Sequence, residues 1–520
     1  MSTLPSYDQV PYESFAMPDT HPDYLATLGH LLGVQAAAPE CCRVLELGAA
    51  AGGNLIPMAF GLPDSTFVGV ELGAEQARRG QAMIAELGLR NVRLLHQDIL
   101  DVDEAQAAFD YILVHGVYSW VPEPVQGRIL SLCGRLLAPQ GIAYVSYNVL
   151  PGWRSRGMLR DMLLYQARGA ATAGERLARA RDLLDVLAAG LGDDPRPEAE
   201  VLRREVGYLR KARASYLYHE YLEETNAPVL FGDFLARAEG HGLRYLADTQ
   251  LHTMFASTLG PAARAVLEGI EPQAEQEQAM DFLTLRPFRR TLLVRADVEP
   301  DLEIDLERLR HYRLYADLKP VEPVALGLIQ SQTYASAAGG RFQVEHPLTK
   351  AALRELAAVY PNALPLAVLL EQARGEVEAG GGGHHAHETD ACLAEVFSLY
   401  ASQALRLTRR AATWPALVSD RPCATALARV QAAAGEGHAA TARHRSLDLD
   451  ALSARLLALL DGSRDHAALA ADLARLIGTE PALAAGLALG PSDGSGLESV
   501  IAANLDRLLR VYAREGLLVG

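Results

Sequence analysis

The sequence predicts an α/β fold: a Rossmann-like sheet in its first third, a helical middle insertion, and a mainly α, winged-helix-like C-terminal region. Three observations predict it. From Arg43 onward, short apolar strands alternate with helical stretches, the pattern of a parallel sheet covered on both faces. The first strand runs directly into a glycine-rich turn, VLELGAAAGGN at Val44–Asn54. Beyond residue 324 the chain reads as short amphipathic helices paired by tight turns.

Residues 23–37 have helical periodicity, and after Pro39 the period changes. Arg43–Leu47, Phe67–Glu71, Val92–Leu95, Asp110–Val114 and Ile142–Tyr147 are expected strands, with helices over 76–87 and 124–137 between some of them. From Ser155 to Glu224 the pattern is helical, broken at Gly192–Pro197. Two later strands, Leu243–Ala247 and Arg290–Arg295, are expected to complete the sheet, which makes the helices 155–224 an insertion over its carboxyl edge; a separate helical domain is the alternative. Val298–Pro323 reads as a linker with some local structure. The expected divisions are 1–155 (an N-terminal lid and the cofactor-binding sheet), 156–297 (the insertion and the completing strands), 298–323 (the linker) and 324–520 (the C-terminal region).

Bulk properties narrow the function classes. With 49% hydrophobic and 22% charged residues, the chain is globular in composition. The N-terminus has no basic and apolar signal pattern, and no run of about 18 apolar residues occurs, so neither export nor a membrane span is expected and the cytoplasm is the default location. Cys41, Cys42, Cys133, Cys392 and Cys423 form no CxxC pair and read as reduced thiols. A net charge of −16 repels phosphate backbones, which argues against nucleic acid and would attract a basic protein. His384, His385, His387 and Glu388 follow four glycines that preorganise nothing, so no metal is expected there.

The glycine-rich turn carries the chemistry. Gly48 lets the backbone bend sharply at the carboxyl end of the first strand, where open α/β sheets bind cofactors. Gly52 and Asn54 lead into the following helix, but Ala50 stands where a dinucleotide site has its middle glycine. Glu46 lies two residues before the bend. A carboxylate there would repel a pyrophosphate and favour a sulfonium ligand with an α-ammonium group, which points to S-adenosylmethionine (SAM) over NAD. Glu71, followed by Leu72, ends the second strand and can accept both ribose hydroxyls. After the third strand, Gln97, Asp98 and Ile99 suit an adenine: Asp98 could accept from the exocyclic amine and Ile99 pack on the ring, while a helix N-cap is the simpler role for Asp98.

The fourth strand ends in His115-Gly116-Val117-Tyr118-Ser119-Trp120, and the fifth in Ser146-Tyr147-Asn148 on the same rim, with Trp153 close behind. Aromatic rings there can border a sulfonium methyl and an amine, so His115, Tyr118, Trp120 and Tyr147 are the catalytic candidates, with His115 and Gly116 also beside the cofactor. Core packing is the ordinary alternative for each ring. Asn148 and Trp153 are expected on the substrate side. The segment Tyr7–His21 is expected to fold over the cofactor as a lid, placing Tyr12 and His21 near the site.

These segments resemble the class I methyltransferases that carry a methyltransferase regulatory domain, which include bacterial protein lysine methyltransferases acting on outer-membrane proteins. The resemblance rests on Ser6–Pro22, Val44–Asn54, Phe109–Pro122, Val145–Trp153, and SYLYHEYLEETNAPVLFGDFLARAEGHGLRYL at Ser215–Leu246, with a helical tail at Leu456–Leu473. It implies a class I methyltransferase sheet that binds SAM and releases S-adenosylhomocysteine (SAH), with Glu46, Gly48, Glu71 and Asp98 as cofactor contacts and His115–Trp120 as an active-site wall. The expected activity is methyl transfer to lysine side chains of a protein substrate, with a homodimer as one admissible assembly. A small-molecule methyltransferase, or a cofactor-binding scaffold without turnover, are the alternatives.

Overall fold

The computed structural model describes residues 10, 12–105, 108–301, 303–336, 339–380, 386–411, 413–415, 417–487 and 497–519, without the side chains of 386–388 and 497. The glycine-following histidines His384 and His385, and the side chains of His387 and Glu388, lie outside the described residues, as does Tyr7 of the N-terminal arm.

Seven strands form one mixed sheet: β1 (Arg43–Leu47), β2 (Thr66–Glu71), β3 (Val92–His96), β4 (Phe109–Val114), β5 (Leu137–Asn148), β6 (Leu243–Asp248) and β7 (Phe288–Arg295), in the order β3-β2-β1-β4-β5-β7-β6. The pairings from β3 through β5 are parallel, and β7 runs antiparallel to both β5 and β6. Strand order reverses between β1 and β4, which opens a crevice at the carboxyl edge between them.

Alternation along each strand sends successive side chains to opposite faces. Val44, Phe67, Tyr111, Leu113 and Tyr144 enter a core shared with helix Pro22–Leu31. Leu45, Leu47, Val70, Ile112, Val114, Val145 and Tyr147 enter a second core under helices Glu123–Leu136 and Phe231–Glu239. Before Phe231–Glu239, the chain between β5 and β6 forms helices Gly152–Gln166, Ala173–Leu191, Pro197–Lys211 and Ala214–Tyr221, with a core of their own. Beyond the expected break at Gly192–Pro197, the helical stretch is divided a second time, at Ala212–Arg213.

The stretch 303–323 is packed structure. Leu309, Tyr312, Leu314, Ala316 and Leu318 are buried in the first core, and Arg313–Tyr315 pairs with Leu364–Pro365 and Arg406–Thr408. The Tyr312 hydroxyl lies 2.6 Å from His30 Nδ1 on the helix that backs the sheet. The period-two burial of Tyr312, Leu314, Ala316 and Leu318 is a strand signal in a stretch expected to be a linker.

Toward the C-terminus, helices Ala426–Ala434, Ala451–Leu459, His466–Thr479 and Leu497–Arg514 form a separate core, with a small antiparallel hairpin, His438–Ala440 paired to Ser446–Asp448. This is the winged-helix arrangement. No helix among the described residues is long and apolar enough to cross a membrane.

Candidate active site

The bend after β1 is built by backbone. Gly48 has φ +77°, and the amides of Gly48 and Ala49 both donate to the Val70 carbonyl, at 2.8 and 3.0 Å. Ala50 is held at φ +46° by its own amide donating to Glu71 Oε2 at 2.8 Å, while Gly73 N–H donates to Oε1 at 2.7 Å. Glu71 therefore ties the glycine turn to the end of β2. The two halves of the expected cofactor grip touch each other. Beside them Leu72 is 52% exposed, an apolar surface at the rim. Asp98 caps the turn Ile99–Asp101 by accepting from Leu100 N–H, the simpler of its two expected roles, and stays half-buried with Gln97 and Ile99.

Glu46 is 3% exposed. Its Oε1 accepts from Asn54 Nδ2 at 2.7 Å, and its Oε2 has no hydrogen-bond partner among the described residues. Burial, reinforced by the Glu71 charge, raises its pKa to about 8, with the Asn54 hydrogen bond opposing. An unpaired carboxylate oxygen in an apolar setting attracts a cation.

The N-terminal arm crosses this turn. Ser14 Oγ accepts from Gly53 N–H at 2.8 Å, and a Cβ on residue 53 would collide with the Ser14 carbonyl. The Tyr12 carbonyl accepts from Gln76 Nε2, and its ring lies 5.2 Å from His219. Thr20 and Met17 bond to Asn54, and His21 caps the helix Pro22–Leu31. Asn54 thus uses its amide on protein partners, where a cofactor contact was expected.

At the end of β4, His115 Nδ1 lies 2.9 Å from the Tyr144 hydroxyl, and Gly116 N–H donates to Ser146 Oγ at 2.8 Å. Burial and the nearby Arg290 lower the His115 pKa to about 4, so the ring is neutral at ordinary pH and a poor proton acceptor. Gly116 has φ +65° and open space where a Cβ would stand.

Tyr118 and Tyr147 do not face this wall. Both are fully buried in the second core, with Tyr147 stacked on Phe234 at 3.9 Å and Tyr118 edge-on to it at 5.3 Å; the Tyr147 hydroxyl lies 2.8 Å from Thr291 Oγ1. On β5 the residues of the other parity, Tyr144 and Ser146, point at His115. The period of two was visible in the sequence and identifies Tyr144 and Ser146 as residues that were missed. Trp120 and Trp153 pack edge to face at 6.0 Å, Trp153 lies against Tyr221 of the insertion, and Asn148 Nδ2 donates to Asn226.

Comparison with known proteins accords with this geometry. Residues 44–141 match the model described as "Methyltransferase domain", residues 213–295 "Predicted methyltransferase regulatory domain", and residues 420–517 "PKMT, C-terminal winged helix domain". An uncharacterized protein of Rickettsia prowazekii (strain Madrid E) is 38% identical over 234 residues, which is 45% of this chain and 94% of that one. The chain belongs to the SAM-dependent methyltransferases that carry a methyltransferase regulatory domain. Another R. prowazekii protein is 40% identical over 318 residues; that match spans 61% of this methyltransferase but 58% of the relative. The structure of PKMT2 from Rickettsia typhi in complex with AdoHcy superposes with a TM-score of 0.84 at 29% identity, covering 98% of this chain and 100% of that one.

The methyltransferase's own residues fit SAM as the cofactor. The unpaired Glu46 oxygen suits a cationic amino-acid end, the anchored Glu71 carboxylate suits a ribose, exposed Leu72 suits an apolar ring, and the space at Gly116 admits a ligand against backbone.

Proposed function

We propose that this methyltransferase transfers the methyl group of SAM to lysine side chains of a protein substrate. The observation that carries the reading is the match to R. typhi PKMT2, a name that denotes a protein lysine methyltransferase, along nearly the whole of both chains, C-terminal winged helix included. SAM bound at the turn supplies an electrophilic methyl on a sulfonium.

The protein's work is then positioning and exclusion of water. Glu46 and Glu71 fix the two ends of the cofactor, the contact of Ser14 with Gly53 N–H supports reading the N-terminal arm as a lid over the turn, and neutral His115, held by Tyr144, borders the reacting end. A lysine must lose a proton from a pKa of about 10.4 before it attacks, and a site with a neutral histidine and aromatic walls favours the uncharged amine. The proton leaves to water. Trp120 and Trp153 form the substrate side together with Tyr221 and Asn226 of the regulatory region. The acidic surface and the winged helix are the means of docking a basic protein. The five cysteines are all free, which supports a reducing, cytoplasmic setting.

Incubation of the full chain with methyl-labelled SAM and a bacterial lysate, followed by mass spectrometry, tests this. Label on protein lysines is expected. Label confined to small molecules would replace the protein reading, and SAM binding without any transfer would make the protein a scaffold.

A further inference from the structure

The tip of the C-terminal hairpin reaches the cofactor turn. Residues 441–445 close it: Thr441 N–H donates to the Arg445 carbonyl at 2.7 Å and His444 N–H to the Thr441 carbonyl at 2.9 Å. His444 itself has φ +52°, a left-handed backbone that a non-glycine residue rarely adopts, and this aims its imidazole inward. The ring is 5% exposed, and Nε2 lies 2.9 Å from Asn54 Oδ1. An amide oxygen only accepts, so Nε2 carries the proton. Burial and the Arg410 charge keep the ring neutral, which leaves that N–H as its one donor.

Asn54 is the next link. Its Oδ1 receives His444 and Met17 N–H, so its Nδ2 is turned to the opposite side, where it donates to Glu46 Oε1 at 2.7 Å and to Thr20 Oγ1 at 3.0 Å. Glu46 Oε2 is left without a hydrogen-bond partner among the described residues. Segments some 390 residues apart in sequence meet on one amide. A flipped Asn54 would set its oxygen against the carboxylate and its NH₂ against the donors, so the His444 proton helps to decide which way Asn54 faces.

We propose that His444 is a positioning residue of the cofactor site: through Asn54 it orients Glu46 toward the amino-acid end of the bound SAM or SAH. The C-terminal domain then completes the site it is also suited to dock substrate for. This rests on the assignment of the turn as the SAM site.

The test is SAH affinity of the full chain by calorimetry, for wild type, His444→Gln, His444→Phe, Asn54→Ala, and Asn54→Ala combined with His444→Phe. Loss of one hydrogen bond to a buried amide predicts roughly five- to tenfold weaker binding in H444F. H444Q, which keeps an N–H donor at similar reach, should recover most of it. In the N54A background H444F should add nothing. Equal losses in H444F with and without Asn54, or no loss in a folded H444F, overturn the proposal; if H444F fails to fold, a folded H444Q that binds SAH more than about fivefold weaker than wild type does so. Absence of SAH binding by wild type would instead remove the cofactor assignment on which the proposal stands.

Discussion

The carboxyl rim of the sheet has two halves built in different ways. On the β1–β2–β3 side the site is mostly backbone: left-handed turns at Gly48 and Ala50, amides aimed at one carbonyl, and a carboxylate held by two more amides. On the β4–β5 side it is mostly side chains, His115 with Tyr144 and Ser146, packed among rings that serve the core. A backbone-built site leaves its mark in residue order, because few residues other than glycine tolerate the required φ. A side-chain-built site depends on which face each residue takes, and a single step along a strand reverses that.

The backbone half should fail most severely when its central carboxylate is removed. Glu71→Ala deletes the acceptor for Ala50 and Gly73 N–H along with the ribose acceptor. Losing two or more hydrogen bonds to a charged group predicts SAH binding weakened by roughly 10²- to 10³-fold in calorimetry. A loss under fivefold would mean that the turn holds its shape without Glu71.

Glu46 gives the same half a pH signature. Its pKa in the folded protein, about 8, lies above the ordinary 4.5. The unfolded chain therefore releases this proton first, and the group's contribution to stability falls as pH rises from about 4.5 toward 8. Pairing with the α-ammonium group of SAM or SAH needs the ionised form, so binding is accompanied by proton release below pH 8. SAH affinity should rise by up to about tenfold between pH 6.5 and 7.5. Titration in buffers of different ionisation enthalpy should report release of nearly one proton, and Glu46→Gln should abolish both effects. A flat profile in the wild type would show that Glu46 is already ionised in the free enzyme.

The same contrast explains what was readable beforehand. The strands β1–β5, the Gly48 bend, Glu46 and Glu71 follow from apolar runs and glycine spacing. The extent of packing within 298–323 was missed because its alternating Tyr312, Leu314, Ala316 and Leu318 are interleaved with Arg313, Tyr315 and Asp317, and the strand 313–315 pairs with residues 50 to 95 positions away. The link from His444 to Asn54 spans 390 positions and has no local pattern at all. Tyr118 and Tyr147 were expected on the wall because they sit near strand ends, but the core claimed both rings.

Two neighbouring tyrosines on β5 separate the halves' logic with the smallest expected effects. Tyr144 and Tyr147 are three apart, so they lie on opposite faces of the strand. Tyr144 meets His115 at the rim; Tyr147 meets Thr291 and Phe234 in the core. Tyr144→Phe removes the hydrogen bond that orients His115, and a kcat lower by about three- to tenfold with SAH affinity unchanged is expected from the loss of roughly 1 kcal/mol of positioning. Tyr147→Phe removes a hydroxyl–hydroxyl pair far from the reacting end. It should lower unfolding free energy by about 1 kcal/mol in urea titration and leave kcat as it is. The reverse pattern, with Tyr147 governing turnover and Tyr144 only stability, would place the substrate on the other face of β5. That outcome would also remove His115 from the reaction, because its ring lies on the Tyr144 side.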